Sequence, residues 1–248
     1  MTTTIAVAGK GGTGKTTLSG LLVRYLVNRK GGKILAIDAD PSSNLHLVLD
    51  LKLGQTVGDI REEARGGVTP GTTRQDFLDY AVRMAVEEGD DFDLLAMGRP
   101  EGQGCYCAAN HMLRSIMDGI NKGYDFVVMD NEAGMEHLSR RTTRDVDYLL
   151  LVSDASMRGM VAAEAMVAMS KALEVNVKNT FLIVNRVQGQ LTPQLQAKAD
   201  GMGVPLLAAM PYDPQVVEID SQGRAMIELP EDAPMSRAVA EVARRLVG

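Results

Sequence analysis

The nonapeptide Gly9-Lys10-Gly11-Gly12-Thr13-Gly14-Lys15-Thr16-Thr17 constrains this chain more than any other feature. It fits G-x-x-x-x-G-K-[ST]. The apolar run Ile5 to Ala8 precedes it and reads as a strand, while Leu18, Leu21, Leu22, Tyr25 and Leu26 after it share one helical face. Glycines let backbone N–H groups converge on an anion, and the helix N-terminus adds the positive end of its dipole. Gly11, Gly12, Thr13, Gly14 and Thr17 are expected around the phosphates, with Lys15 reaching the β- and γ-phosphates and the Thr16 hydroxyl ligating Mg²⁺. The motif implies nucleotide binding.

Short apolar runs alternate with helical patterns along the rest of the 248 residues. Residues 34–37, 94–97, 126–129, 148–152, 181–184 and 206–210 read as strands. Met160, Ala163, Val167 and Leu173 mark one helix, and Met235, Val239, Val242 and Leu246 mark the last. Runs this continuously apolar are buried on both faces. The expected fold is therefore α/β, a single-domain, mainly parallel sheet with helices on both faces, as in P-loop NTPases. One domain is expected to span 1–248. Residues 54–91, broken by Gly66, Gly67, Pro70 and Gly71, are expected to form an irregular insertion on its ligand face.

Charge narrows the partners. Lys and Arg number 26 against 32 Asp and Glu, a net of −6, which argues against a nucleic-acid coat. Hydrophobic residues at 45% provide for a sizeable core, yet no apolar run approaches the roughly 20 residues of a membrane helix. Met1 to Ala8 carries no charge before its apolar stretch and reads as a first strand, not a signal peptide. The expectation is a cytoplasmic protein with neither membrane nor nucleic acid as partner.

Two acidic loops follow strands. Ile37-Asp38-Ala39-Asp40-Pro41 ends the second strand, and ligands bind at the carboxyl ends of strands in open parallel sheets. One of these carboxylates can position an attacking water while the other holds the metal's water shell. Capping of the turn and following helix by Asp40 and Asn44 is the plainer alternative. Phe126 to Met129 ends in Asp130, a Walker B position, followed by Asn131-Glu132-Ala133-Gly134. Gly134 gives this second loop freedom to swing, and its N–H is the expected γ-phosphate contact. Glu132 reads equally as a site carboxylate or a surface acid.

Cys105 and Cys107, the two cysteines of the chain, flank Tyr106. Extended, their Cα atoms would lie about 6.6 Å apart on one face, near the upper limit for a disulfide. Two thiolates are too few for a closed tetrahedral site, and a two-fold dimer would supply the other pair. The pattern suggests half a metal site completed by a second copy of the chain. His111 is a candidate auxiliary ligand and His46 and His137 are further ones, each reading more readily as a surface or hydrogen-bonded histidine. The 15 methionines fall mostly on core faces and read as packing.

The form K-G-G-x-G-K-T, with Lys10 just after the first glycine, resembles the deviant Walker A loop of dimeric ATPases such as nitrogenase iron protein, MinD, ParA and the arsenite-pump ATPase. That resemblance implies that Lys10 reaches the partner subunit's nucleotide, that Asp40 activates water and that Asp38 assists at Mg²⁺. It also implies that Asn185 hydrogen-bonds adenine and that Pro211-Tyr212-Asp213 covers the base, favouring ATP over GTP. Lys10, Lys15 and Asp40 are then the catalytic set. Asp-Ala-Asp-Pro in the first loop, Cys-Tyr-Cys before the Walker B strand, Met129-Asp130 and Gly134-Met135-Glu136-His137-Leu138 occur in one order along essentially the whole chain. Together they resemble the CooC-type maturation ATPases of carbon monoxide dehydrogenase and acetyl-CoA synthase.

The resemblance implies an ATP- and Mg²⁺-dependent homodimer that inserts nickel into a client enzyme, binding the ion through Cys105 and Cys107. Zinc suits the same thiolates. Asn131-Glu132 departs from the forms associated with dehydrogenase-directed members and leaves the client open between the two enzymes. A MinD- or ParA-like spatial regulator and an iron–sulfur electron-transfer ATPase are the alternatives. The latter family draws a cysteine from the second switch, where this chain has none.

Overall fold

Strand β1 (Thr3–Gly9) lies inside a sheet of eight strands among the described residues, with its phosphate-loop motif emerging from the carboxyl end. The computed structural model describes residues 2–29, 31–66, 80, 84–99, 123–134, 145–172 and 176–248. The strands are β1, β2 (Ile34–Ala39), β3 (Val86–Glu88), β4 (Asp93–Ala96), β5 (Phe126–Ala133), β6 (Asp145–Asp154), β7 (Asn176–Val187) and β8 (Leu206–Pro211). Their order is β3-β4-β2-β5-β1-β6-β7-β8. Every neighbouring pair is parallel except β3 with β4, so the short edge strand alone runs the other way.

The continuous apolar runs are buried on both sides, as parallel strands must be. Ile5 and Val7 face one core with α1 (Lys15–Arg29) and α7 (Pro234–Val247), while Ala6 and Ala8 face the other. That second core contains Val57 and Ile60 of α3 (Val57–Gly66), Met160 and Ala163 of α4 (Met157–Ala172), and Leu195 of α5 (Pro193–Asp200). The short helix α2 (Leu45–Val48) follows β2, and α6 (Pro214–Ser221) follows β8. In α1, Leu18, Leu21, Leu22 and Leu26 are almost wholly buried, each contributing about 1.5–3 kcal/mol. Arg24, half-buried on the same helix, donates to the carbonyls of Ile227 and Leu229 and to Ser236 Oγ at 2.7 Å. It ties α1 to the 3₁₀ turn Met226–Glu228 and to α7.

Two departures from the sequence reading have physical reasons. The stretch 54–91 contains the regular helix α3 and edge strand β3, although residues 67–79 and 81–83 lie outside the described residues. Thr56 caps α3: its backbone N–H and hydroxyl donate to Asp59 Oδ2 at 2.8 and 2.7 Å, and the Asp59 N–H donates back to Thr56 Oγ1. Strand β5 runs four residues beyond Met129, because Asn131 and Ala133 keep pairing with Ala39 of β2 and Gly9 of β1. Leu173, expected on α4, lies outside the described residues.

Candidate nucleotide site

The loop between β1 and α1 closes around one carbonyl. Lys10 O accepts from Thr13 Oγ1 at 2.9 Å and from Lys15 Nζ at 3.3 Å. Gly12 and Gly14 take φ of +78° and +90°, the left-handed region that lets consecutive amides turn inward. Asn185, 5% exposed at the end of β7, donates Nδ2 to Thr13 O at 2.8 Å. Its Oδ1 accepts from the Arg186 N–H at 2.8 Å. The carboxamide therefore fastens the loop to β7, and a Cβ on Gly14 would sit 2.5 Å from Nδ2.

Beneath the loop lie two buried acids. Asp38 and Asp130 are paired across β2 and β5, each 1% exposed. Asp38 organises the first acidic loop: Oδ1 accepts from the Asp40 N–H at 3.1 Å and Oδ2 from the Leu45 N–H at 2.8 Å. Burial raises its pKa to about 7 against those two hydrogen bonds, with the Asp130 charge adding to the rise. Burial also raises Asp130 to about 6, opposed by donation from the Thr16 hydroxyl, by the Lys15 charge and by Ser19. Desolvation lowers the Lys15 pKa, while Asp130, Asp40 and Glu132 pull it back up. Asp40, less buried, accepts the Ser42 N–H at 2.8 Å and so braces the turn. Asn44 makes no side-chain cap to α2.

The second acidic loop meets β1 and the phosphate loop directly. Gly134, at φ +98°, donates its N–H to Gly9 O at 3.1 Å. Asn131, 1% exposed, donates Nδ2 to Val7 O at 2.9 Å, and its buried Oδ1 has no partner among the described residues. On the other flank, Gly14, Thr17, Asn185, Pro211, Tyr212 and Val216 line a cavity of about 310 Å³. Asp213 shapes its rim. This carboxylate accepts the N–H groups of Gln215 and Met235, both at 3.0 Å, and so joins the N-termini of α6 and α7.

These residues fit a magnesium nucleotide. Inward-turned amides and a buried lysine suit phosphates, and two paired buried carboxylates, one of them accepting the Thr16 hydroxyl, suit a hard cation's water shell. The adjoining cavity suits a base. Among the described residues, no group of three or more His, Cys, Asp or Glu side chains could hold a metal ion by itself. The structure thus brings together Lys10 through Thr17, Asp38, Asp40, Asp130 and Glu132, with Gly134, Asn185 and Pro211 at the edges. Cys105, Cys107, His111 and His137 lie outside the described residues. His46 lies on α2, its Nδ1 buried and without a partner among the described residues. Sequence reasoning passed over Ser19, Arg186 and Val216. A single serine on an apolar helical face, a valine after a turn and an arginine after a strand carry no local signal of a ligand.

Comparison with known proteins agrees with this geometry. A family profile described as the CobQ/CobB/MinD/ParA nucleotide binding domain matches residues 4–226. An uncharacterized ATP-binding protein of Methanocaldococcus jannaschii is 41% identical, over 98% of this chain and 98% of its own. The carbon monoxide dehydrogenase accessory protein CooC of Rhodospirillum rubrum is 30% identical, covering 91% of this chain and 89% of its own. Among solved structures, the septum site-determining protein MinD complexed with Mg-ADP from Pyrococcus horikoshii shares the fold. Its TM-score is 0.75 at 22% identity, over 100% of this chain and 96% of that one.

Proposed function

Because the chain belongs to the CobQ/CobB/MinD/ParA family of ATP-binding and ATP-hydrolysing P-loop proteins, we propose that it is an ATPase that delivers nickel to a client enzyme of the carbon monoxide dehydrogenase or acetyl-CoA synthase kind. One observation carries the metal part: Cys105-Tyr106-Cys107 stands in a chain 30% identical over nine-tenths of its length to a carbon monoxide dehydrogenase accessory protein.

In this reading the turned-in amides of Gly11 to Lys15 hold the phosphates, and Lys15 neutralises charge on the β- and γ-oxygens. Thr16 and the carboxylates Asp38 and Asp130 would hold Mg²⁺, whose chemistry there is to offset charge on the departing phosphate. Asp40 orients the attacking water. Lys10, exposed at the loop tip, reaches the nucleotide of a second copy, so that hydrolysis and dimer geometry are coupled. Asn185 steadies the loop, while Pro211 and Tyr212 border the base. The dimer brings two Cys105–Cys107 pairs together as four thiolates around one ion, with nickel as cargo and zinc as a competitor. All of these roles sit on one domain spanning 1–248.

The test is a titration of Ni²⁺ and Zn²⁺ into reduced protein under anaerobic conditions, with mass followed by light scattering in the presence of ADP or ATP. One metal per two chains, lost in the Cys105→Ser, Cys107→Ser double variant, is expected. Wild-type behaviour matching that variant would remove the metal and leave the ATPase. A spatial regulator of the MinD or ParA kind then becomes the better reading. Against it stands α7: its apolar stripe Met235, Val239, Val242 and Leu246 is buried in the core, and Arg244 and Arg245 both pair with Glu241. Among the described residues, no helix is long and apolar enough to cross a membrane.

A further inference from the structure

Ser19 is a polar residue among apolar ones. It lies on the buried side of α1 between Leu18 and the pair Leu21 and Leu22, at 0% exposure. A serine inside a helix often returns its proton to the carbonyl four residues back. Here Ser19 Oγ instead donates to Asp130 Oδ1 at 3.2 Å, reaching a strand 111 residues away. Thr16 donates to the same carboxylate. Thr16 and Ser19 are three apart, so they share a face of α1 and hold Asp130 from adjacent turns.

The two donors differ in what else they do. Thr16 is the residue expected to ligate the cation, so its hydroxyl would turn to meet one. Ser19 lies a turn deeper in the helix, out of solvent, so its position does not depend on what the site holds. We propose that Ser19 is a positioning residue that fixes the Asp130 carboxylate in the orientation needed to hold the water shell of Mg²⁺. The inference rests on the ATPase reading and goes beyond the motif, which stops at Thr17. Without the hydroxyl, Asp130 keeps its burial but loses a donor, and its carboxylate is free to rotate away from the cation.

The experiment uses Mn²⁺ as a paramagnetic substitute for Mg²⁺. Its affinity is measured by electron paramagnetic resonance with ADP in excess, and ADP affinity in EDTA is measured by calorimetry. Ser19→Ala is expected to weaken Mn²⁺ binding by about ten-fold or more, the range seen when an outer hydrogen-bond partner of a metal site is removed. Metal-free ADP affinity should stay within about two-fold, and Ser19→Thr should restore Mn²⁺ binding. Ser19→Cys, with a similar shape and a weaker donor, gives the same comparison should the alanine variant fold poorly. A variant with a lower melting temperature but wild-type Mn²⁺ affinity overturns the proposal, because Ser19 would then merely fasten α1 to β5. A wild-type protein whose ADP binding ignores Mn²⁺ removes the ATPase reading as well.

Discussion

Asp38 and Asp130 face the same way from directly paired positions of β2 and β5, two carboxylates side by side with almost no solvent. Both pKa values are raised, chiefly by burial, to about 7 and about 6 from 3.8. The folded chain therefore keeps protons that the unfolded chain has released across that interval. Stability is full below the unfolded value and is lost as pH rises through the folded ones. Without nucleotide, the melting temperature should fall between about pH 4 and pH 7. Mg²⁺ with ADP should flatten the decline, since the cation favours both anions. A melting temperature that climbs steadily over this range without nucleotide would contradict the buried-pair account.

Gly9 has no room for a side chain. A Cβ there would lie 2.3 Å from the Val152 carbonyl oxygen, a backbone atom that cannot swing away. Gly9→Ala should destabilise the fold by about 3 kcal/mol, the upper part of the usual overpacking range. For a chain of this size that corresponds to a melting temperature lower by roughly 6 to 12 °C. A shift of a degree or less in differential scanning calorimetry would mean that β6 yields easily.

Asn185 holds the phosphate loop through the Thr13 carbonyl. Asn185→Ala and Asn185→Asp both remove that donor. Each should weaken ADP binding about ten-fold while costing only about 1 kcal/mol of stability. Equal affinities for wild type and both variants would show that the loop keeps its shape without β7. A loss in the alanine variant alone would point instead to an oxygen-mediated role.

Lys15 is the cation with the largest effect on Asp130. Lys15→Ala should lower ATP turnover by at least about 100-fold, the scale of losing a principal charge-stabilising donor, and should abolish any nucleotide-dependent dimer. Turnover within a few-fold of wild type would remove the catalytic scheme altogether.

The sheet was legible because its strands are continuous apolar runs and the phosphate loop has a fixed place between strand and helix. Six of the seven strand candidates lie within observed strands, and the seventh, 94–97, runs one residue past the end of β4. What escaped had weaker or non-local causes. Val86–Glu88 is polar and lies at an edge, so it lacks the signal of a buried strand. The extension of β5 through Asn131 and Glu132 depends on pairing with β1 and β2, which single-strand patterning does not record. Helices α5 and α6 are absent from the sequence reading, although Thr192-Pro193 and Asp213-Pro214 each set a capping residue before a proline at the first turn. The grip of Ser19 on Asp130 was out of reach, because a lone serine on an apolar helical face says nothing about a partner 111 residues away.

The hydrogen bond from Gly134 to Gly9 adds a thermodynamic toll at the mouth of the site. Any anion that recruits the Gly134 amide must first displace a carbonyl already seated there, forgoing about 1 kcal/mol. A nucleotide that leaves this amide alone bears no such penalty. The resting contact therefore narrows the affinity gap between nucleotides with and without a terminal phosphate. At comparable concentrations, the occupant of the site becomes more sensitive to the ratio of the two in its surroundings.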